Sequence, residues 1–345
     1  MVDRCFSSDE TLRVASVMAS EAVDLLPDGM KEAAALAFQA VISHHCDDFK
    51  VSEEKLRKLR SISYSREAFS YFLSAKNEYA LSERINSDNP ENRKHIAKAK
   101  AALSQYLASD LEKRPYEEII EARLLKARAD FILGRRKGIF MGIVEIGEDQ
   151  EADQAKLEGL KLRGLHTEYV SEHSVFFSRK DGSLFAVSLE APGMLVVAGV
   201  NGDGEIMECA DFFIKLAASS MQLFSASSFY INGVMLSSKD IEEALRDISE
   251  GSFPVWFFAR GYELDESGRH VMVAEGAESF GVKAIKIVDV KDEDREDASN
   301  ALSLILVYQV YSVSARRSRS FTIGEKTYSL VSSDKDSVSF ILEKK

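Results

Sequence analysis

The stretch Phe253–Val290, FPVWFFARGYELDESGRHVMVAEGAESFGVKAIKIVDV, decides the fold class and holds the only tryptophan, Trp256. Val255–Glu263 and His270–Ala274 are short runs rich in aromatic and β-branched residues, and Asp265-Glu266-Ser267-Gly268 between them is a turn sequence. A glycine-bounded loop, Gly276–Gly281, then leads into Lys283–Val290, a further strand.

Upstream of that hairpin, Ile139–Ile146 reads as a buried strand and Asp149–Leu162 as an amphipathic helix. Strands are expected at Thr167–Val170, Ser174–Ser178, Leu184–Leu189 and Met194–Val200, with a hairpin turn at Lys180-Asp181-Gly182. A helix over Met207–Leu223 follows. Ser228–Ile231 and Val234–Leu236 flank Asn232-Gly233, the strongest hairpin dipeptide in the chain, and Ser237–Asp240 starts another helix. Downstream come a helix over Ala298–Val313 and closing strands at Phe321–Ile323, Tyr328–Val331 and Ser337–Leu342. This order describes an α+β domain, a mixed or antiparallel sheet with helices on one face.

The first part of the chain carries helical periodicity instead. Helices are expected over Asp9–Leu26, Met30–His45, from Ser52, and from Ser65 to Ile85. Asn89-Pro90-Glu91 and Arg114-Pro115-Tyr116 each place proline at a helix start. No 34-residue signature repeats, so a plain helical bundle is favoured over a tetratricopeptide-like array. Such a region binds protein, forms an oligomer interface, or caps its neighbour. The domains are therefore 1–137, an all-helical bundle, and 138–345, the α+β part.

Charge follows the same division. Of 44 basic and 56 acidic side chains, residues 1–137 hold 23 and 22, leaving 21 and 34 for the remainder. The net charge of −12 thus belongs to the second domain, which at −13 would repel phosphate backbones. Three scattered cysteines, Cys5, Cys46 and Cys209, argue for a reducing compartment. The N-terminus has no secretory pattern, and the longest apolar run, Ala301–Val313, is too short for a bilayer. The expectation is a cytoplasmic protein.

The span from about Ile139 to Leu342 resembles the bacterial family known as domain of unknown function 4261. The resemblance rests on LFAVSLEAPG, LVVAGVNG, SSFYINGVML, the Trp256 hairpin with GAESFG and its following strand, and FTIGE. It does not extend into the helical region. It implies an α+β domain, a bacterial source and a role in conflict or secretion-related loci, and it brings no catalytic residues.

Candidate chemistry is sparse. His44-His45-Cys46-Asp47-Asp48 is the densest run of metal-ligand types, but consecutive helical residues fan out by about 100° and do not converge. Cys46 and Cys209 sit in no hydrolase signature. Gly202-Asp203-Gly204 completes no phosphate-loop motif, and Asp203 and Glu205 would repel phosphate, so it reads as a tight turn. The acidic run Asp292-Glu293-Asp294 lacks the spacing of a calcium loop and suits a helix N-terminus. Arg316, Arg317 and Arg319 are the basic cluster of the acidic domain, an anion-binding candidate that equally complements a helix C-terminus. Trp256, Arg260, His270, Glu275 and Glu278, around the hairpin and its glycine loop, form the candidate ligand site. The rival reading is that they are exposed polar residues around a turn.

No catalytic constellation, cofactor motif or metal site is complete. The leading expectation is a non-enzymatic interaction or adaptor protein, in a defence or toxin-immunity setting, whose acidic domain meets a basic protein partner. Self-association is compatible with it. The alternative is a small-molecule-binding or enzymatic domain with its site at the Trp256 hairpin. Nucleic acid comes third, confined to Arg135–Lys137 or Arg316–Arg319.

Overall fold

A computed structural model describes residues 23–62, 67–85, 89–109, 114–134, 136–147, 154–170, 173–191, 193–265 and 269–343. Expectations for Cys5, for most of the helix Asp9–Leu26, for the start at Ser65-Arg66, for Arg135, for the opening of the helix at Asp149 and for the turn tip at 266–268 lie outside the described residues. The chain divides into two compact units, 1–135 and 136–345.

The first unit is helical: α1 (Asp28–His45), α2 (Phe49–Ile62), α3 (Glu67–Glu83), α4 (Pro90–Ala108) and α5 (Tyr116–Ile132). Asn89 caps α4 as its sequence foretells, accepting the Glu91 N–H at 3.0 Å, with Pro90 in the first turn. The expected helix start at Ser52 is corrected. α2 begins at Phe49, and Asp48 accepts the Val51 N–H at 3.2 Å. Ser52 is instead fully buried, donating to the Ala40 carbonyl at 2.8 Å and accepting from the Asn77 amide at 3.0 Å. A serine hydroxyl with both roles filled can sit inside a helical core without an unmet polar group.

Each helix packs chiefly on its sequence neighbours. Leu36, Ala40, Leu56, Leu59 and Leu73 make one small core across α1–α3. Phe72, Tyr79, Ile96, Leu103, Tyr106 and Ala129 make a second across α3–α5.

The second unit contains two sheets rather than the single sheet expected. Its strands are β1 (Ile139–Glu145), β2 (His166–Val170), β3 (Ser174–Ser178), β4 (Leu184–Ala191), β5 (Met194–Val200), β6 (Ser228–Ile231), β7 (Val234–Ser237), β8 (Arg260–Asp265), β9 (His270–Glu275), β10 (Ala284–Val290), β11 (Ser320–Ile323), β12 (Lys326–Ser333) and β13 (Ser337–Leu342). Its helices are α6 (Gln154–Glu158), α7 (Ile206–Leu223), α8 (Ser238–Ser249) and α9 (Arg295–Tyr311). One sheet has the order β2-β3-β4-β5-β1-β6-β7 and is antiparallel throughout. The other runs β11-β12-β13-β10-β9-β8 and is mixed, because β10 pairs parallel with β13. α7 packs on β5, β1 and β6; α9 packs on β8, β9 and β10. The unit is thus α+β.

Val255–Ala259 is not strand. Val255–Phe257 forms a single 3₁₀ turn after Pro254, and β8 begins at Arg260. Phe257 and Phe258 are both fully buried, and a strand would send adjacent side chains to opposite faces. The turn lets both point inward. Phe258 lies 5.3 Å from the Phe140 ring, 5.1 Å from Phe280 and 6.1 Å from Phe213, centroid to centroid. Those rings come from β1, the glycine-bounded loop and α7, so the aromatic cluster joins the two sheets into one core.

Candidate functional site

The five residues proposed from sequence for a ligand site are not brought together. Arg260 and Glu275 face each other across the β8–β9 ladder and make a two-pronged ion pair, through Nε at 2.8 Å and through Nη2. The Tyr262 hydroxyl donates to the other oxygen of Glu275 at 3.1 Å. These carboxylate and hydrogen-bond contacts hold the already charged guanidinium firmly in that form, and desolvation followed by the Glu275 contact pushes the Tyr262 phenol up. Arg260 also lies over the Asn232-Gly233 turn, where a Cβ on Gly233 would come within 3.0 Å of it. A guanidinium so matched has little left to offer a ligand.

His270 sits at the far end of the same pair of strands, opposite Asp265. Its Nδ1 lies 2.6 Å from Glu263 and its Nε2 2.9 Å from Asp292, while Arg295 donates to Glu263 at 2.7 Å. Glu278 lies in neither group. Its nearest cation is Arg136 at 3.8 Å. Trp256 points elsewhere again and donates from Nε1 to Asp247 at 3.1 Å. The proposed constellation is therefore four separate contacts.

The glycine-bounded loop is a joint. Ala277–Phe280 is a 3₁₀ turn between Gly276 and Gly281, both at positive φ. Ser279 and Phe280 are buried. The Ser279 hydroxyl donates to the Ile139 carbonyl at 2.5 Å, and its own carbonyl accepts the Gly138 N–H at 2.7 Å. The Gly281 and Val282 N–H groups, which might cradle a ligand, are spent on the Glu278 and Ala277 carbonyls of the loop itself.

The arginine cluster divides as well. Arg316 folds back on α9, donating from Nε to the Gln309 carbonyl at 2.7 Å and from Nη2 to Val310 at 3.2 Å. It occupies the carbonyls that a helix leaves open at its C-terminus. Burial holds its guanidinium pKa below the usual value. Arg317 and Arg319 are exposed and make no ion pair among the described residues.

The metal-ligand run is dispersed too. His44 Nδ1 meets the Asn77 amide oxygen at 2.7 Å, Asp47 pairs with Arg84 at 2.8 Å, and Asp48 caps α2. Among the described residues no three His, Cys, Asp or Glu side chains are placed to hold a metal ion. Cys209 is buried, and its thiol is pushed up to about 12 by burial and then by the nearby Asp181 carboxylate. A thiol held protonated is no nucleophile. Gly202–Gly204 is a packed turn. A Cβ on Gly204 would fall 2.1 Å from an Asp181 oxygen, and the Asp203 N–H donates to the Asp181 carbonyl at 2.8 Å.

The feature that sequence reading missed is the outer face of α9. Ala301, Leu302, Ile305, Leu306 and Val310 bury one side of the helix against its sheet. Leu304, Tyr308 and Tyr311 lie on the other side, 43%, 53% and 56% exposed. Their spacing of i, i+4, i+7 makes a continuous stripe. The first turn carries exposed Glu296 and Asp297, with exposed Asp292 and Glu293 just before it. The available signal was that Ala298–Val313 is apolar nearly all round, a pattern that normally requires cover on every side. Among the described residues no helix is long and apolar enough to cross a membrane.

Compared with known protein families, with curated proteins and with solved structures, the chain matches none.

Proposed function

We propose that this chain is a non-enzymatic interaction protein whose α+β unit docks a partner on the outer face of α9. The observation that carries this reading is the exposed stripe Leu304, Tyr308 and Tyr311 beside the acids Asp292, Glu293, Glu296 and Asp297. Aromatic anchors with an acidic border are what a protein interface uses. Glu296 makes no ion pair among the described residues, while Asp292, Glu293 and Asp297 share their charge with His270, Lys291 and Lys326 at exposed positions where such pairs are weak. The charge selects a partner surface in which apolar side chains are flanked by lysine or arginine. The net charge of −12 favours the same kind of partner at long range. A defence or immunity setting, and membership of the domain of unknown function 4261 family, are proposed on the motif order alone.

The test is capture from the native host with the full chain and with Tyr308→Glu, followed by reconstitution from purified components. A stoichiometric partner with a basic docking surface, lost with Tyr308→Glu and weakened by added salt, supports the reading. A partner retained by Tyr308→Glu overturns it. So does concentration-dependent self-association abolished by the same substitution, which would make the occupant a second copy.

A further inference from the structure

A second surface of opposite character lies in the helical unit. A cleft of about 510 Å³ opens between the C-terminal end of α3, the first turns of α4 and the last turn of α5. Three guanidiniums line it, those of Arg84, Arg93 and Arg128, against one carboxylate, Glu83. From these residues we infer that the cleft binds a carboxylate-bearing peptide segment, an acidic stretch of polypeptide carrying at least one apolar side chain.

Two backbone carbonyls at the cleft are already matched. Asn92 donates its amide to the carbonyls of Ser82 at 2.8 Å and Ile85 at 3.1 Å, neutralising the open end of α3. What remains available is cationic. Arg93 is exposed and makes no ion pair among the described residues. Arg84 pairs with Asp47, but at an exposed position where such a pair is weak and exchangeable. It is also positioned over the Phe49 ring, 4.7 Å from its centroid, which orients the guanidinium. Arg128 is engaged within the unit, 3.8 Å from Glu83 and with its guanidinium 5.9 Å from the Tyr79 ring centroid, so the cationic contacts fall to Arg93 and Arg84. The positive end of the α4 dipole adds to this field.

The rest of the lining fixes the ligand class. Ile96 is buried in the wall and Ile132 is 37% exposed at the cleft. A bare inorganic anion would fill a small part of 510 Å³ and leave the isoleucines wet. Planar carboxylates suit the two-pronged geometry of guanidinium, and a neighbouring leucine or valine would cover Ile132. The inference is independent of the α9 surface, which takes the opposite charge.

The experiment is fluorescence anisotropy of a labelled peptide alternating glutamate and leucine, titrated with the full chain. A peptide alternating lysine and leucine serves as the control. Binding of the acidic peptide alone is expected, weakened about tenfold or more by Arg93→Glu, where one charge-assisted contact becomes a repulsion. Arg317→Glu makes the same change of net charge in the other unit and is expected to leave binding unaltered. No binding of the acidic peptide, equal weakening by both substitutions, or full competition by an equimolar amount of inorganic phosphate would each overturn the inference. The circular dichroism of Arg93→Glu verifies that the exposed substitution leaves the helices intact.

Discussion

The Asn232 side-chain amide donates to the Gly276 carbonyl at 2.7 Å and to the Phe258 carbonyl at 3.0 Å. Asn232 belongs to the tight turn between β6 and β7 in one sheet. Gly276 directly follows β9 in the other. One amide group therefore closes two backbone carbonyls at the seam between the sheets, beside the aromatic cluster of Phe140, Phe258 and Phe280.

Gly276 cannot be replaced at this seam. Its φ is +102°, and a Cβ would lie 2.4 Å from the Phe258 carbonyl oxygen. Strain and clash together make Gly276→Ala destabilising by on the order of 3 kcal/mol. Asn232→Ala, which strands two carbonyls, is expected to lose about 1–3 kcal/mol. Urea titration followed by Trp256 fluorescence measures both. A loss under 0.5 kcal/mol for Gly276→Ala, within the range of ordinary surface changes, would show that the seam is not rigid.

The turn at Gly204 makes a similar demand for a different reason. Its backbone is not at positive φ, but an added methyl would meet the Asp181 carboxylate at 2.1 Å. That carboxylate also accepts the Ser183 N–H at 3.0 Å and lies 3.5 Å from Arg179. Gly204→Ala is expected to lose about 1–3 kcal/mol by overpacking. The double substitution Gly204→Ala with Asp181→Ala should lose less than the sum of the two singles, since they share one contact. Strict additivity in a thermal denaturation cycle would count against the clash.

The thiols should differ sharply in reactivity. Cys209 is buried with its pKa pushed up to about 12, whereas Cys46 is exposed. Iodoacetamide at pH 8 should label Cys46 and spare Cys209 in the folded protein, as read by peptide mass spectrometry. An unfolded cysteine ionises near 8.5. Stability assisted by the buried thiol therefore declines as pH rises from there toward 12. Rapid native labelling of Cys209 would mean that α7 opens locally.

Acid acts on the helical unit through Asp130. Burial alone would raise its pKa, but hydrogen bonds from Lys100 and from Lys126 at 3.0 Å outweigh burial and hold the carboxyl below its ordinary value. The folded value is the depressed one. Its contribution is complete above about pH 4, the unfolded value, and is lost as pH falls through the folded value. Asp130→Asn should flatten that part of the acid-unfolding curve, followed by the far-ultraviolet signal of the helices. An unchanged curve would assign acid sensitivity to other carboxylates.

Local signals were the legible part of the sequence. Asn89-Pro90-Glu91 and Asn232-Gly233 act within a few residues, and both stand where they were expected. Ser237 likewise forms a complete capping box with Asp240. Long-range pairing was not legible. The parallel match of Ala284–Val288 with Ser337–Ile341 joins the closing strands to the β8–β10 strands in a second sheet, and no local pattern encodes it. Val255–Ala259 was misread because a short apolar run fits a strand and a buried turn equally well. The grouping of His270 with Glu275 failed on simple geometry. Five residues along a strand is an odd step, so the two side chains leave opposite faces, with about 17 Å of strand between them. Exposure on α9 was invisible because sequence shows which residues are apolar and not which neighbour is missing.

The helical unit builds its interior in instalments, one small cluster across α1–α3 and the next across α3–α5. The two clusters meet only at α3, which sends Leu73 into one and Phe72 and Tyr79 into the other. Damage in one cluster should stay local, and amide hydrogens in α4, which packs on both α3 and α5, should be among the slowest to exchange of the described helices. The unit's grip on anything held between α3, α4 and α5 can loosen or tighten without the rest of the stack having to move.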